Sequence, residues 1–149
     1  THKIESQYND DSITIEKYLR ADGDSIDQWL AQNDLSPEAS KSGLRYIITK
    51  EGEGENIEIG DQVSVKYQGW ILKNKDATSK RNLNQTFIVG NNEVIAGWDE
   101  GLTYLKKGSV STFYIPSPLA YGNNPPNNNI PPRAIMVFDV EVVEVKKKI

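Results

Sequence analysis

The residues of this chain that could do chemistry are aromatic and aliphatic, because the usual nucleophiles and metal ligands are nearly absent. The sequence has no cysteine, and its one histidine is His2. Ser-His-Asp and Cys-His catalysis and most transition-metal sites therefore lack their residues, and we expect no metal and no cofactor. The chain does have seven tyrosines, three tryptophans and three phenylalanines, which suit an apolar binding pocket.

One cluster of acidic residues could suggest a calcium loop. The stretch "DGDSID" offers Asp22, Asp24 and Asp27 as oxygen ligands. A calcium loop also needs an oxygen ligand at its fifth position and a glycine at its sixth. Here Ile26 takes the fifth position and the glycine stands elsewhere, so the motif does not predict calcium binding.

Composition predicts a soluble globular chain with one main domain. The 149 residues are 37% hydrophobic and 26% charged, which is ordinary for a folded domain with a small appendage. A net charge of −4 supplies no basic surface for nucleic acid or anionic lipid. No apolar run approaches the length of about 20 residues that spans a bilayer.

The first forty residues predict a tail followed by two short amphipathic helices. Ile15, Tyr18 and Leu19 share one helical face, and Gly23 is able to end that helix. A second helix follows, in which Ser25 can act as the N-cap; its shared apolar positions are Ile26, Trp29 and Leu30. Helices this short are not stable alone, so they must dock on the following domain or on another chain.

From Leu44 onward the apolar residues alternate with a period of two, which predicts β-strands. The strand segments are "LRYIITKEG", "QVSVKYQGWIL", "SVSTFYIPS" and "AIMVFDVEVVEV". A short helix is predicted around Trp98–Leu105. The segment of residues 119–134 is rich in proline and asparagine. Composition favours a disordered spacer, whereas its position between an aromatic residue and a strand favours an ordered loop.

Four stretches resemble the motifs of the FKBP-type peptidyl-prolyl cis-trans isomerases. The first, "VKYQGWIL", matches V-x-Y-x-G, and "GNNEVIAGWDEGL" matches V-I-x-G-W-x-x-G. The third, "LAYGN", matches A-Y-G, and "IPPRAIMVFDVEV" matches I-P-P-x-A-x-x-x-F-x-V. The resemblance covers residues 44–146, roughly two thirds of the chain. It implies an α+β fold, with an antiparallel half-barrel sheet wrapped around one short helix. The two predicted helices precede it, so residues 1–42 form an extension and residues 43–149 the isomerase domain.

The resemblance also implies roles for individual residues. It makes Trp98 the floor of a proline-binding pocket, with Tyr67 and Phe138 as its walls. The catalytic set that it implies is Tyr67, Asp76, Trp98, Tyr121 and Phe138. The substrate-binding set is Val94, Ile95, Ile130 and Gln85. The backbone N–H of Ile95 would hold a substrate carbonyl, and the Tyr121 hydroxyl would face the substrate.

Two positions depart from the family pattern. The family carries Phe-Asp after the strand tyrosine, whereas the matching Asp76 follows Lys75 and the segment is about two residues shorter. A second pocket aromatic is replaced by Gln85, although Phe87 is nearby. An aromatic contact contributes about 1 kcal/mol, which corresponds to about a fivefold effect on rate. These departures predict reduced turnover with the pocket retained.

Isomerisation suits a chain of this composition. Rotation about an X-Pro bond faces a barrier of about 18–20 kcal/mol but breaks no bond, so it needs neither a nucleophile nor a metal. The implied partners are X-Pro-containing polypeptides, with macrolides of the rapamycin type as candidate ligands. The missing initiator methionine and the polar lead-in favour the periplasm or cell envelope of a bacterium, with a lipid anchor upstream; a cytoplasmic location is the alternative.

Three functional hypotheses remain open at this point. The first is a prolyl isomerase that assists the folding of exported proteins. The second is a proline-binding module or chaperone that has lost most turnover, which Lys75 and Gln85 favour. The third is a structural or assembly protein that works through its N-terminal helices.

Overall fold

The computed structural model describes residues 11–74 and 83–149. The helices are α1, Ser12–Gln32, and α2, Ala96–Gly101, and two short 3-10 turns span Leu102–Tyr104 and Ser117–Leu119. The strands are β1, Glu38–Ala39; β2, Arg45–Lys50; β3, Gln62–Ile71; β4, Leu83–Ile88; β5, Val110–Ile115; and β6, Met136–Lys146.

The strands form one antiparallel sheet in the order β1-β2-β5-β6-β3-β4. The longest strand, β6, pairs with β5 on one side and β3 on the other. In that register Phe138 stands opposite Gly69 on one neighbour and Phe113 on the other. This antiparallel sheet with a short helix confirms the predicted α+β fold class. The edge strands β1 and β4 are not among the strands predicted from the sequence.

The sheet buries both of its faces because residues alternate along β5 and β6. Phe113 and Phe138 point to the face covered by α2, which we call the inner face, and pack with Trp98 in the main core. Tyr114 and Val137 point to the opposite, outer face, where they pack with Ile26 of α1. Both faces are buried where Phe113–Ile115 of β5 pair with Met136–Phe138 of β6, and there the sequence is continuously apolar.

Glycines let α2 lie close against the inner face of the sheet. A β-carbon at Gly97 would be 2.8 Å from Ile115 Cγ2, and one at Gly101 would be 2.7 Å from Phe113 Cζ. Both distances are shorter than a real carbon–carbon contact. The glycines that flank Trp98 therefore set the depth at which its ring lies over the sheet.

The helix break predicted at Gly23 is wrong, because residues 12–32 form one helix of 21 residues. Asp11 caps its start by accepting a hydrogen bond from Thr14 N (2.8 Å). Gly23 lies inside the helix, where a β-carbon would be 3.0 Å from Arg45 Nη1. This glycine allows a strand side chain to approach the helix rather than ending it.

Helix α1 docks on the outer face of the sheet of its own chain. Its buried side of Ile26 and Leu30 packs against Tyr114 and Val137, and Trp29 lies 5.9 Å from Tyr114 between ring centroids. Of the two predicted docking partners, the following domain or another chain, the structure shows the following domain. Within residues 11–74 and 83–149, no helix combines the length and apolar character needed to cross a membrane.

The proline- and asparagine-rich segment is an ordered loop between β5 and β6. Residues 116–120, which lead into this segment and begin it, are buried, whereas the asparagines at its tip are exposed. Gly122 N donates to Ser117 O (2.8 Å), and Arg133 N donates to Gly122 O (2.8 Å). These bonds close the base of the loop, so the loop prediction is correct and the spacer alternative is not.

Candidate functional site

Three aromatic rings from three elements meet on the inner face of the sheet. Tyr67 comes from β3, Trp98 from α2 and Phe138 from β6. Trp98 lies edge-on to both partners, with ring centroids 4.7 Å from Tyr67 and 5.2 Å from Phe138 and interplanar angles of 84° and 87°. Edge-to-face packing of this kind is the favoured geometry of aromatic pairs and fixes the three rings relative to one another.

Trp98 is almost fully buried, at 3% exposure. Its indole Nε1 is buried and has no hydrogen-bond partner in the part of the chain that the structure describes. Phe87 of β4 packs near it as well, with ring centroids 6.0 Å apart. The tryptophan is therefore enclosed by apolar surface.

The aromatic rings border a cavity of about 220 Å³. Its lining residues are Tyr67, Gln85, Glu93, Val94, Ile95, Trp98, Tyr121 and Phe138. Pockets for drug-sized ligands run from about 300 to 1,000 Å³. A cavity of this smaller size suits a compact group such as a proline ring.

A second cavity of about 270 Å³ adjoins the first and shares Tyr67, Tyr121 and Phe138 with it. Ile130 and Met136 line its inner end, and Pro126, Asn127 and Asn129 of the loop line its outer end. The loop between β5 and β6 therefore borders the aromatic cavity directly.

A tight turn positions Val94 and Ile95 at the cavity. Asp99 accepts hydrogen bonds from Gly90 N (2.9 Å) and Asn92 N (3.1 Å), so the carboxylate of α2 holds the preceding turn. Burial raises the pKa of Asp99 despite these two bonds. Ile95 is the N-cap of α2, and its carbonyl accepts from Trp98 N (3.0 Å). The entrance residues and the tryptophan are thus parts of one hydrogen-bonded unit.

The two tyrosine hydroxyls at the cavity are neutral hydrogen-bond donors. Burial raises the pKa of both Tyr67 and Tyr121 above the ordinary tyrosine value, and for Tyr121 the nearby Tyr67 adds to the effect. Both hydroxyls therefore keep their protons at neutral pH. The acidic residue at the cavity, Glu93, is exposed and accepts a hydrogen bond from Asn91 Nδ2 (2.7 Å). This arrangement can bind an apolar ring and donate hydrogen bonds to a carbonyl.

The structure brings together most of the residues expected at the site. Those that line the aromatic cavity are Tyr67, Gln85, Val94, Ile95, Trp98, Tyr121 and Phe138. Ile130 lines the adjoining cavity instead. Asp76 and Lys75 lie outside the described residues. Among the described residues, no group of three or more His, Asp or Glu side chains could hold a metal ion.

The sequence alone assigned no site role to several residues that line these cavities or pack beside them. Phe87 contacts Trp98, Glu93 lines the first cavity, and Leu83 and Met136 line the second. The signal for Leu83 and Phe87 was their spacing of two from Gln85, which places all three on one face of β4. That strand was not predicted, so its face could not be assigned.

The chain is similar to proteins of one family. Residues 53–143 match the FKBP-type peptidyl-prolyl cis-trans isomerase family. The chain is 40% identical over 104 residues to a probable FKBP-type peptidyl-prolyl cis-trans isomerase FkpA of Neisseria meningitidis, a match that covers 70% of this chain and 38% of that protein. It is 35% identical over 120 residues to FK506-binding protein 2 of Candida glabrata, covering 76% and 88% of the two chains.

A solved structure gives the same result. The crystal structure of FkpA from Escherichia coli matches with a TM-score of 0.69 and 31% identity, over 90% of this chain and 63% of that chain. This chain spans only about two fifths of the length of the Neisseria relative. The family match contains every cavity residue described above. The chain belongs to the FKBP-type peptidyl-prolyl cis-trans isomerase family.

Proposed function

We propose that this chain catalyses the cis–trans isomerisation of X-Pro bonds in polypeptides and so assists protein folding. The observation that carries the proposal is the edge-to-face centre of Tyr67, Trp98 and Phe138, with Tyr121 beside it in the same cavity. In the proposed complex the proline ring lies on Trp98 between the walls of Tyr67 and Phe138.

The proposed mechanism is selective binding of the twisted amide. Twisting removes amide resonance, so the carbonyl of the transition state is less polar than that of the planar ground state. An apolar pocket therefore disfavours the planar form relative to the twisted one, and this difference lowers the barrier. The Ile95 N–H would hold a flanking carbonyl and the Tyr121 hydroxyl would donate to the substrate, which keeps the peptide fixed while the bond rotates.

The test is exchange of a short peptide with a Leu-Pro or Phe-Pro bond, followed with and without catalytic amounts of protein. Trp98→Phe removes part of the pocket floor and should lower kcat/KM about fivefold or more. Trp70→Phe is the matched control, because Trp70 packs on the outer face of the sheet and should leave the rate unchanged. Equal exchange rates with and without the wild-type protein would refute the proposal.

A proline-binding module or chaperone with little turnover is the second candidate. Gln85 favours it, because this amide lines the cavity at a position where the family resemblance implies an aromatic wall. In that case the peptide would change the fluorescence of the wild type but not of Trp98→Phe, and exchange would not be accelerated. A catalysed rate as high as that of an ordinary prolyl isomerase would exclude this candidate.

We also propose rapamycin-type macrolides as ligands of the same cavity and the bacterial periplasm or cell envelope as the location, with a lipid anchor upstream. The bacterial relatives support the location, and the aromatic cavity supports the ligand. Rapamycin should quench the fluorescence of the wild type and not that of Trp98→Phe. Fractionation of the native cells should place the full-length protein in the envelope, and its recovery with the cytoplasm would refute that location.

A further inference from the structure

Helix α1 lies outside the family-matched residues 53–143, yet it holds the loop that borders the candidate pocket. Asp22, in the middle of α1, is buried at 8% exposure. Its Oδ2 accepts two hydrogen bonds from one residue of the loop, from Ser117 N (2.8 Å) and Ser117 Oγ (2.5 Å). Leaving such buried donors without an acceptor costs more than a surface hydrogen bond does.

Ser117 in turn fixes the backbone on both sides of Tyr121. Its carbonyl accepts from Ala120 N (3.0 Å) and Gly122 N (2.8 Å). Tyr121 therefore lies between two residues tied to the same oxygen, and its ring lines both cavities. A shift of Ser117 would move the Tyr121 hydroxyl relative to Trp98.

A second contact of α1 holds the far end of the loop. Gly122 O accepts from Arg133 N (2.8 Å), and the Arg133 guanidinium lies over the ring of Tyr18, 4.1 Å from its centroid. Tyr18 and Asp22 are four residues apart and thus share one face of α1. Together these contacts form a closed network between α1 and the loop, made by Tyr18, Asp22, Ser117, Gly122 and Arg133.

We propose that Asp22 is a positioning residue for the active site, through which helix α1 sets the place of Tyr121. This inference rests on the proposed isomerase function. Asp22 touches no substrate and acts only through Ser117. The chemistry of the position requires one oxygen that accepts from an N–H and an O–H together, which an aspartate or an asparagine supplies and an alanine does not.

The test compares three substitutions in α1 by amide hydrogen exchange and by steady-state kinetics on the X-Pro peptide. In Asp22→Ala the exchange rates of the Ala120 and Gly122 amides should rise about tenfold, and kcat/KM should fall about fivefold or more. Asp22→Asn keeps the acceptor oxygen and should rescue both readouts. Asp27→Ala removes the ion pair with Arg45 (2.8 Å), so it weakens helix docking without touching the loop. It should change both readouts by less than about twofold.

Two results would overturn the inference. The first is wild-type amide exchange and kinetics in Asp22→Ala. The second is an equal fall in kcat/KM and an equal rise in amide exchange in Asp27→Ala, which would mean that Asp22 contributes only to general docking of the helix. If Asp22→Ala does not fold, Ser117→Ala keeps the backbone bond and should show a smaller effect of the same sign. Wild-type protein without isomerase activity would refute the proposed function. The exchange rates of Ala120 and Gly122 would still decide whether Asp22 holds the loop.

Discussion

The ring of Phe138 lies directly over the Cα of Gly69, its partner across strands β3 and β6. A β-carbon at Gly69 would lie 2.4 Å from Phe138 Cε1 and 2.7 Å from its Cδ1. The two residues stand opposite each other in the strand register. Glycine is needed here for the close approach of an aromatic wall of the pocket.

Gly69→Ala should therefore displace Phe138 from the aromatic centre. Overpacking of this kind costs about 1–3 kcal/mol in the free energy of unfolding, and kcat/KM should fall with it because one wall of the pocket moves. Urea unfolding and the peptide-exchange assay measure the two effects. Gln62→Ala, at an exposed position of the same strand, is the control and should change neither. A Gly69→Ala variant with wild-type stability would show that Phe138 has room to move.

The sequence predicted those strands whose burial leaves a pattern of apolar residues along the chain. Strands β2, β3, β5 and β6 have strong apolar patterns, and their placement followed from pattern and resemblance together. The prediction of a helix end at Gly23 was wrong because a glycine can either end a helix or allow a neighbouring side chain to pack closely against it. Only the tertiary contact with Arg45 decides between these.

Some residues of the candidate site could likewise be predicted from the sequence, and others could not. Four residues, Tyr67, Trp98, Tyr121 and Phe138, stand in motifs with characteristic spacing, so the family resemblance predicted that they lie together. Strand β4 alternates polar and apolar residues weakly, as "LNQTFI", and was not predicted. The contact between Phe87 and Trp98 therefore could not be foreseen. The bonds from Asp22 to Ser117 join residues 95 positions apart, and no local pattern encodes such a pair.

Asp61 should make the stability of the protein depend on pH in the acid range. Its side chain is fully buried and accepts hydrogen bonds from Lys147 Nζ (2.6 Å), Glu58 N (2.8 Å) and Lys148 N (3.0 Å). Burial raises the pKa of Asp61, but the bond from Lys147 and those from the backbone N–H groups of Glu58 and Lys148 outweigh it and lower the pKa to about 2.

Because the folded pKa is lowered, the stabilisation is present above the unfolded value of about 4 and is lost as the pH falls through about 2. At pH 7, Asp61→Asn should be less stable than the wild type by about 2 kcal/mol. This difference should shrink as the pH falls from 4 to 2, which urea unfolding at a series of pH values measures. Asp24→Asn, at an exposed position of α1, is the control. A difference that does not change with pH would contradict the assignment.

Tyr121→Phe should separate hydrogen bonding from packing at the candidate site. The ring stays and only the hydroxyl is lost, so the free energy of unfolding should change little. Loss of one hydrogen bond of about 1 kcal/mol to the substrate should lower kcat/KM about fivefold. Burial raises the pKa of Tyr121, so the hydroxyl keeps its proton and the wild-type activity should not vary between pH 6 and about 9. A Tyr121→Phe variant with the wild-type kcat/KM would remove this hydroxyl from the mechanism.

Gln85→Phe should restore the aromatic wall that the family resemblance implies. Gln85 is half-buried on β4 and lines the cavity with Tyr67 and Trp98, so a ring placed there would face the bound proline. An added aromatic contact of about 1 kcal/mol felt in the transition state should raise kcat/KM about fivefold. Thr86→Phe adds the same ring to the exposed, opposite face of β4 and is the control.

The result of Gln85→Phe also distinguishes the two candidate functions. A gain in kcat with an unchanged control would mean that Gln85 limits an isomerase that already works. A lower KM with an unchanged kcat would mean that the ring stabilises the planar and twisted amides equally. The missing aromatic wall would then affect only peptide binding and would not explain a low turnover, which favours the proline-binding module.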